Sequence, residues 1–164
     1  MVALNAYQSA FVHALQDAGV NFLVIGGRAM QGHGFERETG DLDIFVSRSG
    51  DNPERLHPII EKRIENPSPK LTPEWLRQPD KVVKLSSPEG VDVITSIGAL
   101  DFDLAAARSV KVSFGKLTLS ILGLPELVYS KLVSVARNIS PAKERDLKDL
   151  EALVTIWRER YPVV

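Results

Sequence analysis

Two short stretches decide the reading: Asn21-Phe22-Leu23-Val24-Ile25-Gly26-Gly27 and, after thirteen residues, Asp41-Leu42-Asp43-Ile44-Phe45-Val46. The first is an apolar run that stops at a glycine pair, which predicts a buried strand over residues 21–25 and a tight turn. Residues 28–33 then read as one or two helical turns closed by Gly34. A strand, a glycine turn and a helix start leave backbone N–H groups facing outward, a local preference for anions such as phosphate. The second stretch predicts a strand over residues 41–46. Residues two apart in a strand share a face, so Asp41 and Asp43 point one way while Leu42 and Ile44 enter the core. Two carboxylates at that spacing can flank a hard divalent cation, which takes oxygen ligands and keeps phosphate oxygens among them.

A third carboxylate, Asp92, sits in Gly90-Val91-Asp92-Val93-Ile94. If its strand lies beside that of Asp41 and Asp43, it completes a triad. Its role is then to hold a second metal, to accept the proton of an attacking hydroxyl, or both. Its apolar flanks also fit an edge-strand charge with no catalytic part.

Around these stretches the chain reads as mixed α and β. Residues 4–18 carry Leu4, Phe11, Leu15 and Ala18 at helical spacing, and residues 53–64 do the same with Leu56, Ile59 and Ile60. Four prolines over residues 66–79 predict a loop, anchored by Trp75. Residues 81–85 and 91–95 predict one hairpin, and 110–114 with 117–121 a second. Pro125 fits a first helical position, with Leu127, Leu132 and Val135 on one face. Ser140-Pro141 reads as the start of a last helix whose apolar stripe is Leu147, Leu150, Leu153, Val154 and Trp157. The expected architecture is a mixed sheet flanked by helices, with a C-terminal helical pair. Residues 1–122 form the core and 123–164 an extension packed on it as one unit.

Composition removes several classes. In 164 residues there is no cysteine, so disulfide scaffolds, thiolate zinc sites and cysteine nucleophiles are excluded. Lys plus Arg number 20 against 21 Asp plus Glu, so no bulk positive field favours general nucleic-acid binding. No apolar run approaches a membrane span, and the first residues lack a basic-then-apolar leader, which predicts a cytoplasmic protein without membrane partners. The glycines do not match a P-loop, since no Gly-Lys-Ser/Thr follows, nor a dinucleotide fingerprint, since the third glycine is missing.

Gly26-Gly27, Asp41-x-Asp43 and Asp92 resemble the DNA polymerase β-type nucleotidyltransferase superfamily. The longer runs over residues 24–46 and 124–153 are similar to its small prokaryotic members, the minimal nucleotidyltransferases often encoded in toxin–antitoxin or phage-defence loci. The resemblance covers most of residues 20–155. It implies a nucleotidyltransferase fold and Mg²⁺- or Mn²⁺-dependent transfer of a nucleoside monophosphate from a nucleoside triphosphate to a hydroxyl acceptor. The acceptor class is a protein, an RNA such as tRNA, or a small molecule, and pyrophosphate is released. It further implies that Asp41, Asp43 and Asp92 are the metal-binding catalytic acids and that Gly26 and Gly27 meet the triphosphate. Many members carry serine at the second glycine position. Gly27 offers only its N–H, and Arg37 and Lys131 are candidates to supply the missing phosphate contact.

Other readings stand beside this one. Small nucleotidyltransferase-like chains of paired operons also act by binding a partner protein, with weak or vestigial catalysis. An aspartyl-nucleophile phosphatase also begins Asp-x-Asp, but Phe45 stands where its motif requires Thr or Val, and Gly26-Gly27 would be unexplained. Lys131 is either a solvated helix lysine or a phosphate contact. Arg145 and Asp149, four apart, predict a surface ion pair. His13, His33 and His57 lack zinc-site spacing and read as structural. The bases Arg55, Lys62, Arg63, Lys70, Arg77, Lys81 and Lys84 are interleaved with acids, so they predict a mixed solvated surface.

Overall fold

The computed structural model describes residues 3–137 and 142–163. Its centre is the predicted apolar run, a strand β1 (Phe22–Ile25) that leads directly into a short helix α2 (Gly26–Gly32). Ahead of it runs α1 (Ala6–Asp17), opened by a capping box in which the Asn5 side chain accepts from the Gln8 amide and Gln8 reciprocates. Strand β2 (Leu42–Val46) lies antiparallel to β1, and β4 (Val91–Ile94) lies parallel to β2 on its far side. The hairpin partner β3 (Val82–Leu85) forms the edge next to β4. On the other side of β1, β6 (Leu117–Ile121) runs parallel to it, and β5 (Val110–Phe114) closes the second hairpin. The sheet order is therefore β3-β4-β2-β1-β6-β5.

The core forms where Leu42 and Ile44 of β2 and Val91 and Val93 of β4 meet Phe11 and Leu15 of α1 and Leu56 and Ile60 of α3 (Asn52–Glu61). All eight are essentially removed from water. At roughly 1.5–3 kcal/mol per buried large apolar side chain, this layer is the main stabilising term of the fold.

Two helices break the sequence reading. The proline-rich loop contains α4 (Pro73–Leu76), because Thr72 accepts from the Trp75 amide at 3.1 Å and Pro73 takes the first turn. Residues Phe102–Ala107 form α5, whose cap is the Asp101 side chain accepting from the Leu104 amide at 2.9 Å. Phe102 packs edge-on against Phe45 with ring centroids 5.1 Å apart.

The helical pair, α6 (Leu124–Arg137) and α7 (Ala142–Arg160), forms with a rotation the apolar pattern did not predict. On α6 the buried residues are Leu124, Glu126, Leu127 and Lys131, while Leu132 is 49% exposed. On α7 Asp146, Asp149 and Leu153 are buried, while Leu147 and Val154 are 43% and 40% exposed. The physical reason is an ion-pair cluster that turns charged positions inward. The predicted start of the last helix at Ser140-Pro141 lies outside the described residues. Among the described residues, no helix is long and apolar enough to cross a membrane.

Candidate active site

Strand pairing places the acids. Asp43 stands opposite Ile25 on one side and opposite Asp92 on the other, and Asp92 stands opposite Lys84. Residues in register on adjacent strands lie about 5 Å apart and share a face. Lys84, Asp92 and Asp43 therefore form a row that ends beside the Gly26 turn. The row lines a cleft of about 410 Å³, with Lys131 and Ser134 of α6 and Asp146 of α7 on its far wall. A second cavity of about 450 Å³ lies at the ends of β2 and β4, lined by Arg48, Arg77, Thr95 and Ser96 among others. It contains none of the three predicted acids, and only Ser96 is common to both. Two of the three predicted acids, Asp43 and Asp92, line the first cleft.

Gly26 is needed for two reasons. Its φ is +62°, and a Cβ there would overlap the Asp43 carboxylate. The carboxylate thus sits directly against the turn that opens α2. A Cβ at Gly27 would overlap the Arg37 guanidinium and lie 2.8 Å from Thr39 Cβ. Arg37 occupies the space that a serine side chain at this position would enter.

Arg37 is held from behind by α7. Its Nε donates to Asp149 Oδ1 at 2.8 Å. Lys131 Nζ lies 2.7 Å from Asp149 Oδ2 and donates to Asp146 Oδ1 at 3.0 Å, and the Ser134 hydroxyl donates to Asp146 Oδ2 at 2.6 Å. Among the described residues, two cations and two carboxylates form a nearly dry cluster under the cleft. The predicted Arg145–Asp149 surface pair is thereby overturned: Asp149 is buried and committed to Arg37 and Lys131, and Arg145 lines the cleft. Lys131 is not a solvated lysine either, since its side chain is 8% exposed.

The carboxylates interact unfavourably. Burial pushes the Asp43 carboxyl up to about 6, and the charges of Asp92 and Asp41 push in the same direction, against Lys131 and Lys84. Lys84 donates to Asp92 Oδ2 at 2.9 Å, and that bond raises the Lys84 ammonium above its ordinary value. Asp41 precedes β2, is exposed and does not line the cleft, although its charge reaches Asp43. Among the described residues no three of His, Asp or Glu stand together closely enough to hold a metal ion. The pair Asp43 and Asp92 nevertheless fits the donor set of Mg²⁺. Both are hard oxygen ligands on one face, and the repulsion at Asp43 is what a divalent cation would relieve.

Sequence reasoning missed three contributors. Gln8 is fully buried on α1, and its Nε2 donates to the carbonyls of Gly40 at 2.7 Å and of Glu89 and Gly90 at 3.1 Å. It ties together the loops that lead into Asp41 and Asp92. Its only sequence signal was a polar residue inside an apolar helical face. Arg28, one residue past the glycine pair, has its Nε buried with no hydrogen-bond partner among the described residues and its Nη2 3.4 Å from Gln8 Oε1. Burial pulls its guanidinium below the ordinary value, against Glu89 and Asp41. Lys84, read as part of a mixed surface, instead belongs to the acid row. Elsewhere that surface is mixed as expected, with Arg55 pairing with Asp51 at 2.8 Å and Arg77 with Glu54. His33 and His57 are structural, each ring Nε2 within 2.8 Å of a backbone carbonyl.

This arrangement, a six-stranded mixed sheet flanked by helices with a C-terminal helical pair, is a nucleotidyltransferase-like fold. Among solved structures it is similar to an antigenic nucleotidyltransferase-like protein from Paracoccidioides brasiliensis, with a TM-score of 0.57 and 16% identity. The match covers 93% of this chain and 78% of that one. At that identity the likeness concerns the fold alone. No protein-family profile matches the chain, and no curated protein matches it in sequence.

Proposed function

We propose that this protein transfers a nucleoside monophosphate from a nucleoside triphosphate to a hydroxyl acceptor, in the manner of the small prokaryotic nucleotidyltransferases. One observation carries the reading: Asp43 and Asp92 are in register on adjacent parallel strands, with Asp43 against the glycine turn, inside one cleft. A coincidental pair of surface acids would not be buried enough to repel one another, as Asp43 is.

Asp43 and Asp92 would hold Mg²⁺ or Mn²⁺, and Asp41, outside the cleft, would add only its negative charge to the site. Such an ion would supply charge neutralisation at the phosphate oxygens. The chain's own groups do the rest. The N–H groups of Gly26 and Gly27 face the triphosphate, and Arg37, fixed over Gly27 by Asp149, brings a guanidinium to the same place. Lys131 is shared between Asp146 and Asp149, so it contributes field rather than a free ammonium. The acceptor oxygen attacks the α-phosphorus, the bond to the bridging oxygen breaks, and pyrophosphate leaves with the electron pair. The hydroxyl proton passes to the Asp92 carboxylate and then to water.

The alternative is a nucleotide- or partner-protein-binding module of a toxin–antitoxin or defence system with residual catalysis. The Lys84–Asp92 ion pair favours it, because an ammonium there supplies the countercharge that an active centre leaves to metal. The test is incubation with Mg²⁺, each α-labelled nucleoside triphosphate and a cell lysate, beside Asp43→Asn. Label moving to a protein, RNA or small-molecule band only with the wild type supports transfer and gives the acceptor class. No Asp43-dependent product with any nucleotide leaves the binding module as the reading.

A further inference from the structure

Helix α7 presents two neighbouring faces. One carries Asp146, Asp149 and Leu153 into the molecule. The other carries Leu147, Leu150, Val154, Trp157 and, just past the helix end, Tyr161. These five residues recur at alternating spacings of three and four, the seam of a two-stranded coiled coil. Leu147, Val154 and Tyr161 are 43%, 40% and 55% exposed, and Leu150 and Trp157 are half-buried. Tyr161 continues the seam because its amide donates to the Trp157 carbonyl at 2.8 Å. A shallow groove runs along this face past Leu147, Leu150, Glu151, Val154 and Thr155, and a second one continues past Thr155, Arg158 and Glu159. At 19 residues the helix is about 28 Å long, enough for a two-heptad contact.

The flanking charges select the occupant. Glu151 and Arg158 follow Leu150 and Trp157 and stand seven apart on the same side of the seam. Both are exposed, and among the described residues neither forms an ion pair. An antiparallel pairing that sets Val154 against Trp157 of a second copy sets Leu150 against its Tyr161. That register brings Glu151 beside Arg158 of the second copy, and two-fold symmetry makes the same pair again. A parallel pairing would set Glu151 and Arg158 opposite Asp146 and Leu153, which are buried in their own chain. The face is thus complementary to itself in one orientation. We infer that α7 is the interface of an antiparallel homodimer, formed by the seam Leu150-Val154-Trp157-Tyr161, with Leu147 at its end, and two symmetric Glu151–Arg158 pairs.

The test is sedimentation velocity of the full chain from micromolar to submillimolar concentration. A concentration-dependent dimer is expected, and Leu147→Glu with Val154→Glu should abolish it while circular dichroism stays unchanged, since both side chains are exposed. Glu151→Arg alone and Arg158→Glu alone should each weaken the dimer about tenfold, because each sets like charges together twice. The double variant Glu151→Arg/Arg158→Glu should restore it. A chain that is monomeric throughout, a dimer indifferent to the Leu147 and Val154 changes, or a double variant no better than the singles overturns the proposal. In the first case the face belongs to a partner of different sequence.

Discussion

Arg37 and Asp149 are 112 residues apart in the chain and meet at 2.8 Å, and this one contact fixes the second helix of the C-terminal pair to the glycine turn. The Arg37 side chain is 15% exposed and that of Asp149 9%. Through Asp149 the turn is also coupled to Lys131, and through Lys131 to Asp146. The helical pair is therefore part of the cleft's construction, and the charges of Lys131, Asp146 and Asp149 are committed inside the molecule.

Breaking this cluster from one side should be costly. Lys131→Met removes the ammonium shared by the buried carboxylates of Asp146 and Asp149, so we expect a loss of about 3–5 kcal/mol. Urea unfolding followed by circular dichroism measures it. A loss below half a kcal/mol would mean that the cluster is solvated.

Asp43 should destabilise the fold at neutral pH. Its folded pKa of about 6 lies above the ordinary value of 3.8, so the folded state keeps a proton that the unfolded state has lost between those values. Stability from this group is full below the unfolded value and declines as pH rises through about 6. Asp43→Asn should thus be more stable than the wild type at pH 7.5 by as much as about 3 kcal/mol, with the difference vanishing near pH 4. A stability difference that does not change with pH would contradict the shift.

Mg²⁺ should act on the wild type and not on Asp43→Asn. It should raise the melting temperature of the wild type, where it relieves the carboxylate repulsion, and leave Asp43→Asn unchanged. Thermal melts at rising Mg²⁺ concentration, with Ca²⁺ and Na⁺ as controls, decide this. Equal shifts in both proteins would place the ion elsewhere.

Gly27 and Arg37 should be coupled sterically. Gly27→Ser forces a Cβ into the Arg37 guanidinium, so it should cost about 1–3 kcal/mol in the wild type. The added cost should fall in an Arg37→Ala background, though Thr39 still crowds the site. A double-mutant cycle on urea midpoints tests it, and strict additivity would sink the claim.

Gln8 should matter far more than an ordinary helix residue. Gln8→Leu keeps the volume but removes the donor shared by three carbonyls, for an expected loss of about 1–3 kcal/mol. Because those carbonyls precede Asp41 and Asp92, the proposed nucleotidyl transfer should also fall. A stable but inactive variant would show positioning directly, whereas an unchanged protein would show that the loops hold themselves.

Much of the fold is legible because it rests on local chemistry. The strand before Gly26-Gly27, both hairpins and the helices at either end follow from periodicity and turn residues. Helix α4 was not legible because its prolines read as loop breakers, and α5 because six residues carry too little periodicity. In the site, the spacing of Asp41 and Asp43 was readable from the chain alone, whereas the buried roles of Gln8 and Asp149 were not. A polar residue on a helix looks solvated until its partner is known.

By itself, then, the sequence determined the strands, their apolar faces and the acids at fixed strand positions, because alternation and glycine turns act over a few residues. Only the tertiary structure decided that Asp92 stands beside Asp43 and that Arg37 fills the space over Gly27. It alone decided that α6 and α7 turn charges inward and leave Leu147 and Val154 to solvent. Those outcomes depend on strand register and on pairing between charges far apart in the chain. The free energy of burying an ion pair belongs to both partners at once, and no local pattern records it.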